Sequence, residues 1–357
     1  MRVRVELWSN RPHLQQLLTG LHRLHHQREI RLEQHFIAAP AATYADAAAH
    51  LVDAQMAHCR VVLADGRKLY FDLHDSHEIH LGGLDWCDVY YKRGFIPAVA
   101  ASSDKVRPYG LNYLVYDDQV DWHLLKRQLH FEPADWPRHL CAFGGMDRVL
   151  RDRFILPRLS QCEQAPTPGC YRTILFQTRL WDPAEAPSAE KASEWQVINE
   201  FRVDCVRALK LQFPQAFRGG IAPSAFAQSY CDRDLLCDAY ASQKVGYFKL
   251  LREPSIAVSS AGLHQSNGWK LPEYLAFSKP IIAEPPVHTI PGGFEESKNC
   301  FYFQSVDSLL QHAQRLLSDT ALADAMAQAN WTYYQSYMRP EIRVAAMLGI
   351  RGRRGLA

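Results

Sequence analysis

The sequence predicts an α/β protein of two domains facing a cleft, with a helical C-terminal tail. Three observations carry that prediction. The chain has 357 residues, more than the roughly 100–200 of a single domain. Residues 161–170 hold two prolines, a glycine and little apolar periodicity, and read as a linker. From residue 171 onward strand-like runs alternate with helical ones, the pattern of a parallel, doubly wound sheet. The expected division is 1–160, the linker 161–170, a second domain 171–335 and a tail 336–357.

In chain order, "VRVELW" predicts a strand, and Ser9-Asn10 with Pro12 a helix start. Leu14, Leu17, Leu18, Leu21 and Leu24 then recur at helical spacing. His22 and His26 stand i,i+4, a spacing that can grip a metal, but a solvent-facing helix end is the expectation. "CRVVLADGRKLYFDLHD" carries Asp65-Gly66 between two strand-like runs and predicts a hairpin. "WCDVYYKRGFIP" predicts a strand leading into a basic loop, and "GLNYLVYDD" a further strand. The first domain is therefore α/β with some antiparallel pairing.

After the linker come a strand "TILFQ", a helix from about Ala192 to Phe213, and a strand "FRGGI". Helix-like "LLCDAYASQKVGYFKLL", strand "SIAVSS" and strand "PIIAE" follow. Beyond Ser305 the spacing of Leu309, Leu310, Ala313, Leu316 and Leu317 is helical. The aromatic run Trp331, Tyr333, Tyr334 and Tyr337 is expected to pack as a buried seam rather than to serve as a sugar platform. Ligands of open α/β sheets bind beyond the carboxyl ends of the strands, so two such domains would face a cleft.

A net charge of +2 is too balanced for nucleic acid to be the partner. No apolar stretch reaches the roughly 20 residues of a membrane span, and "MRVRVELWSNRPH" lacks a signal-peptide core. A cytoplasmic location is expected. The basic end "IRGRRGLA" offers a peripheral contact with the inner membrane, with a frayed terminus as the alternative. The nine cysteines form no C-x-x-C pair and are expected to be reduced and buried.

Chemistry concentrates in "GLHQSNGWKLPEYLAFSKPII", residues 262–282. A polar loop there leads from a strand into a helix, so backbone N–H groups can meet an anion such as a diphosphate. Gly268 permits close approach, Lys270 adds a phosphate-binding charge, and Glu273 lies one turn along the same face, able to take ribose hydroxyls. A Gly-rich turn with a solvated Lys–Glu pair is the alternative. A second cluster, "FDLHDSHEIH", holds Asp72, His74, Asp75, His77 and Glu78 as candidate bases, or a polar turn capped by Asp75 or Ser76. Lys92 and Arg93 could meet an anionic acceptor or form a solvated pair. Asp232-Arg233-Asp234 is a lone D-x-D, common by chance, and is set aside. G-x-G-x-x-G, P-loop and G-x-S-x-G motifs are absent, which argues against simple dehydrogenases, kinases and α/β-hydrolases.

Residues 171–335 resemble the nucleotide-binding domain of group 1 glycosyltransferases of the GT-B fold, in which two Rossmann-like domains face a cleft. Glu273 to Ile282 matches the second half of that family's E-x7-E pattern, which ends in A-x-G-K/R-P-V-I. "NCFYFQSVDSLLQHAQRLLSD" and "ILFQTRL" are similar to two further family stretches. The resemblance implies that Glu273 binds the donor ribose and that Arg179 and Lys270 neutralise the diphosphate. The backbone at Asn267, Gly268 and Trp269 would cap it, with His264, Gln265 and Ser266 at the sugar. Gln265 stands where the family has its first Glu, keeping hydrogen-bonding capacity without the charge.

The implied activity is transfer of a hexosyl or deoxyhexosyl group from a nucleotide-diphosphate sugar to an acceptor of bacterial surface polysaccharide or lipopolysaccharide type. That acceptor is a glycan or a lipid-linked glycan. Asp75 or His74 would act as base, Lys92 and Arg93 would meet the acceptor, and no cofactor or metal is expected. A nucleotide-sugar epimerase of the same fold and a non-catalytic sugar-nucleotide-binding protein are the alternatives.

Overall fold

Strand β1, Arg2–Leu7, buries Val3, Val5 and Leu7 and turns Arg2 and Arg4 to solvent, the period-2 alternation of a half-buried strand. It belongs to the first of two α/β units in a computed structural model that describes residues 1–9, 11–37, 57–100, 103–131, 135–150 and 156–350. Unit 1 comprises 1–162, 288–291 and 335–357, and unit 2 comprises 163–287 and 292–334.

The sheet of unit 1 has the order β2-β1-β3-β4-β5-β6. Its other strands are β2 (Arg31–Phe36), β3 (His58–Leu63), β4 (Lys68–Asp72), β5 (Val89–Lys92) and β6 (Val106–Pro108). Strand β3 runs antiparallel to both β1 and β4, and every other pairing is parallel. The carboxyl ends of β1, β4, β5 and β6 therefore share one edge. The β3–β4 hairpin turns at Asp65-Gly66 as expected, with Asp65 Oδ1 accepting the Arg67 N–H at 3.1 Å.

Helix Gln15–His26 buries Leu17, Leu18, Leu21 and Leu24 against this sheet and packs on the helix Pro340–Leu348. A Cβ on Gly20 would meet the Pro340 carbonyl oxygen at 2.4 Å, so only glycine lets these two helices approach so closely.

Two expectations fail here. "GLNYLVYDD" forms no strand beyond one bridge, Tyr116 with Arg158. Its Leu111, Tyr113 and Val115 are buried by packing rather than by pairing, and periodicity cannot tell the two apart. His22 and His26 are not solvent-facing. His22 is buried beside Gln34 at 2.9 Å, and His26 Nδ1 meets Asp117 Oδ2 at 3.0 Å. Among the described residues no group of three or more His, Cys, Asp or Glu is placed to hold a metal ion.

Unit 2 holds a parallel sheet in the order β11-β10-β9-β7-β8. The strands are β7 (Ile174–Thr178), β8 (Phe217–Ile221), β9 (Ile256–Ser259), β10 (Ile281–Ala283) and β11 (Phe301–Tyr302). Every residue of β7, β9 and β10 is buried, which is why these strands read as unbroken apolar runs. The expected long helix spans Ala189–Gln212, its Ser188 side chain accepting the Lys191 N–H at 3.2 Å. The helix-like run near 235–251 breaks into Ala239–Ser242 and Lys244–Arg252. Helices Val306–Ser318 and Thr320–Tyr333 follow β11.

Tyr333 and Tyr334 are buried and Trp331 stacks on Tyr334 at 5.8 Å, so the aromatic run packs. The basic tail, 351–357, lies outside the described residues. Among those residues no helix is long and apolar enough to cross a membrane.

Candidate functional site

At the carboxyl ends of β9 and β10, unit 2 carries a small, open, polar pocket. Gln265, Ser266 and Asn267 line it, with Ser259, Ser260 and Glu284. The loop is held in shape by its own backbone: the Gly262 N–H reaches the Ser266 carbonyl at 2.8 Å and the Ser266 N–H the Leu263 carbonyl at 3.1 Å. Gln265 adopts φ +54, a left-handed conformation uncommon for a residue with a side chain, and its side chain is exposed. Gly268, at φ +58, takes the same region freely. The side chain of His264 lies outside the described residues.

Trp269 holds the N-cap position of helix Lys270–Ala276 without a side-chain cap hydrogen bond. That helix has only seven residues, so its dipole is short, and side chains must supply most of the positive potential. Lys270 supplies it. Its ammonium lies 4.1 Å from the centroid of the Tyr247 ring. Burial lowers its pKa to about 8, with Glu273 opposing the shift and Arg202 and Arg179 adding to it. Glu273 accepts the Tyr247 hydroxyl at 2.8 Å, and burial raises its pKa against the pull of Lys270. Arg179 is exposed after β7, its guanidinium stacked 3.7 Å from the centroid of the Trp181 ring.

The structure thus gathers Lys270 and Glu273 into one cluster, with Arg179 within its electrostatic reach and Gln265, Ser266 and Asn267 on the adjoining pocket.

Arg202 and Glu284 belong to the same region and carry no sequence motif. Arg202 is buried and donates to the Arg179 carbonyl (2.6 Å), the Ala261 carbonyl (2.7 Å) and Ser260 Oγ (3.1 Å), tying the ends of β7 and β9 together. Asp232 and Asp234, by contrast, are exposed and pair with Arg207 and Lys210, a solvated surface network.

In unit 1 the shared carboxyl edge carries the second cluster. Asp75 follows β4 and is ion-paired through Oδ1 with Arg93, which follows β5. Its Oδ2 lies 4.0 Å from His13 Nε2, in the 3₁₀ turn Pro12–Leu14 that follows β1. Burial, with Arg93 adding, lowers the His13 pKa to about 4, so its imidazole is neutral at physiological pH. His288, from the segment 288–291, lies in the field of Arg93 and Asp75 and is likewise lowered to about 4, chiefly by burial.

His74 is half-buried: its Nδ1 accepts the Ser76 N–H at 3.2 Å, and burial lowers its pKa to about 4. His77 and Glu78 are exposed. Lys92 is fully buried, its ammonium 2.8 Å from Asp72 Oδ2, so it is not placed to meet an acceptor at the surface. Asp72 also takes the Tyr90 hydroxyl (2.6 Å) and faces His58 Nε2 (3.1 Å), which makes it an interior anchor rather than a base. His13 escaped the sequence reading because its partners lie far away in the chain. Its position just after the first strand is the signal that could have found it.

Residues 202–349 match a protein family described as glycosyl transferase-like, so this stretch carries a glycosyltransferase-like domain. No curated protein matches the chain. Among solved structures it is similar to the C-terminal domain of LpcC, a group 1 family glycosyl transferase from Francisella tularensis. Identity is 16% over 51% of this chain and 97% of that one, with a TM-score of 0.32. It is also similar to MnaA of S. aureus in a structure with UDP, at 8% identity over 97% of this chain and 93% of that one, TM-score 0.44. WaaG, a glycosyltransferase involved in lipopolysaccharide biosynthesis, is similar at 9% identity over 96% and 98% of the two chains, TM-score 0.38.

Proposed function

We propose that the protein is a GT-B glycosyltransferase in which unit 2 binds a nucleotide-diphosphate sugar and unit 1 the acceptor. The acceptor class is a glycan or lipid-linked glycan of bacterial surface-polysaccharide type. The observation that supports this most is the joining of Lys270, Glu273 and a polar pocket at the carboxyl ends of β9 and β10, within a stretch that matches a glycosyl transferase-like family. Breaking the bond between sugar and diphosphate develops negative charge on the leaving group. Preorganised cations stabilise that charge at no reorganisation cost. Lys270 and Arg179 fill that role, and Glu273 offers its second oxygen to the ribose hydroxyls. The scheme needs no metal ion.

On the acceptor side, a base must take the proton of the attacking hydroxyl. Asp75, with neutral His13 beside it and Arg93 on its other oxygen, is the group in unit 1 suited to this.

The test is incubation of the full chain with labelled UDP-glucose, UDP-N-acetylglucosamine, GDP-mannose and dTDP-rhamnose, with and without bacterial lipid and polysaccharide extracts. Transfer to an extract component with release of nucleoside diphosphate is expected. Conversion of the sugar within the donor, in the absence of any extract, would instead establish an epimerase.

A further inference from the structure

We propose that Glu284 is the residue that selects the donor sugar, admitting a neutral sugar and rejecting a uronate. The inference rests on the reading of unit 2 as a sugar-nucleotide site and goes beyond it in naming the group and the class of sugar.

Glu284 is the first residue after β10, and its own N–H reaches the Ser259 carbonyl at 3.0 Å, which fixes its backbone to the end of β9. One carboxylate oxygen, Oε2, accepts the Ala261 N–H at 2.7 Å. The other, Oε1, has no partner among the described residues, and the side chain lines the pocket beside Gln265, Ser266 and Asn267. Pro285 and Pro286 follow at once and stiffen that rim.

Glu284 is the one charged side chain among the residues lining this pocket. Arg202 lies in its field, but three of its five N–H donors go to two carbonyls and Ser260 Oγ, and none of its described hydrogen bonds reaches the carboxylate. Burial raises the Glu284 pKa, while the Ala261 N–H and Arg202 hold it down.

A half-buried carboxylate oxygen with spare acceptor capacity calls for O–H donors. Sugar hydroxyls are such donors. Phosphate and uronate oxygens are anions, and a like charge within this pocket is disfavoured. The diphosphate is therefore assigned to the Lys270 and Arg179 side, and the pocket takes the uncharged polyol end. Gln265 cannot impose this selection, because an amide both donates and accepts and carries no charge.

The experiment is isothermal titration of the full chain and its Glu284→Gln variant with UDP, UDP-glucose and UDP-glucuronate, and with GDP, GDP-mannose and GDP-mannuronate. The wild type should bind the neutral sugar nucleotide more tightly than the parent diphosphate, and the uronate more weakly than the neutral sugar. Glu284→Gln should lose about tenfold of that sugar-dependent gain and relax the rejection of the uronate by a similar factor. Its affinity for the parent diphosphate should hold within about twofold.

Should Glu284→Gln fold poorly by circular dichroism, Glu284→Asp, which retracts the carboxylate by one methylene, must show the same loss of the sugar-dependent gain. A variant that binds the diphosphate and discriminates among sugars as the wild type does overturns the inference and spares the donor-site reading. A wild type that binds none of UDP, GDP and dTDP overturns both.

Discussion

Tyr247 donates its hydroxyl to Glu273 Oε2 at 2.8 Å, and the same ring carries the Lys270 ammonium over its face. One aromatic side chain thus orients both the carboxylate assigned to the ribose and the cation assigned to the diphosphate. Replacing Tyr247 by Phe keeps the ring and removes the donor. A hydrogen bond to a charged group is worth about 1.5–3 kcal/mol. Tyr247→Phe should lower thermal stability and weaken nucleoside diphosphate binding severalfold while leaving the Lys270 stacking intact. Calorimetry on the variant decides this, and unchanged values for both would show that Glu273 needs no such support.

If Lys270 holds the diphosphate as proposed, binding is sensitive to alkali. Its pKa is lowered to about 8, so the ammonium is fully charged only below that value. Affinity for an anionic ligand should fall between about pH 7 and pH 9, by at most about tenfold per unit above the pKa. Lys270→Arg keeps the charge throughout this range and should flatten the profile. A wild-type affinity independent of pH across this window would remove Lys270 from the diphosphate.

Asp72 anchors the interior of unit 1. It is buried, and His58 and Lys92 hold its pKa well below the usual carboxylate range despite the opposing effect of burial. Removing it in Asp72→Ala strands the Lys92 ammonium in the core, a loss of about 3–5 kcal/mol, or about 10 °C in melting temperature for a unit of this size. A shift under about 2 °C in scanning calorimetry would contradict the interior placement of Lys92.

His26 has the opposite pH signature. Hydrogen bonds to Asp117 and Asp121 raise its pKa to about 9, from an ordinary value of 6.5. A raised imidazole contributes stability that is full below the unfolded value and is lost as pH climbs through the folded one. Between about pH 6.5 and 9.5 unit 1 should lose about 1–2 kcal/mol that His26→Gln never had. Melting curves of the two proteins at both pH values should converge in alkali, and a constant gap between them would refute the ion pairing.

Much of unit 2 was legible because its strands are buried on both faces. β7, β9 and β10 show as unbroken apolar runs, and the spacing of Leu309, Leu310, Ala313, Leu316 and Leu317 marks the helix that follows β11. Lys270 and Glu273 were legible because one helical turn separates them. Lys92 could have been read correctly: in β5 it alternates in step with buried Tyr90, which places both on the interior face. Asp72 hid in a polar run that is buried at its strand end and exposed only at His77 and Glu78. "GLNYLVYDD" misled because its apolar residues fill the core from irregular backbone that begins at Gly110, φ +86. His13 and Glu284 meet their partners only through the fold, and no local spacing announces them.

The account turns on a diphosphate site in unit 2, and isothermal titration of UDP, GDP and dTDP into the full chain tests it most directly. One of the three should bind in the micromolar range, and Lys270→Ala should weaken that binding at least about tenfold. Absence of binding heat for all three, or an undiminished affinity in Lys270→Ala, would contradict it.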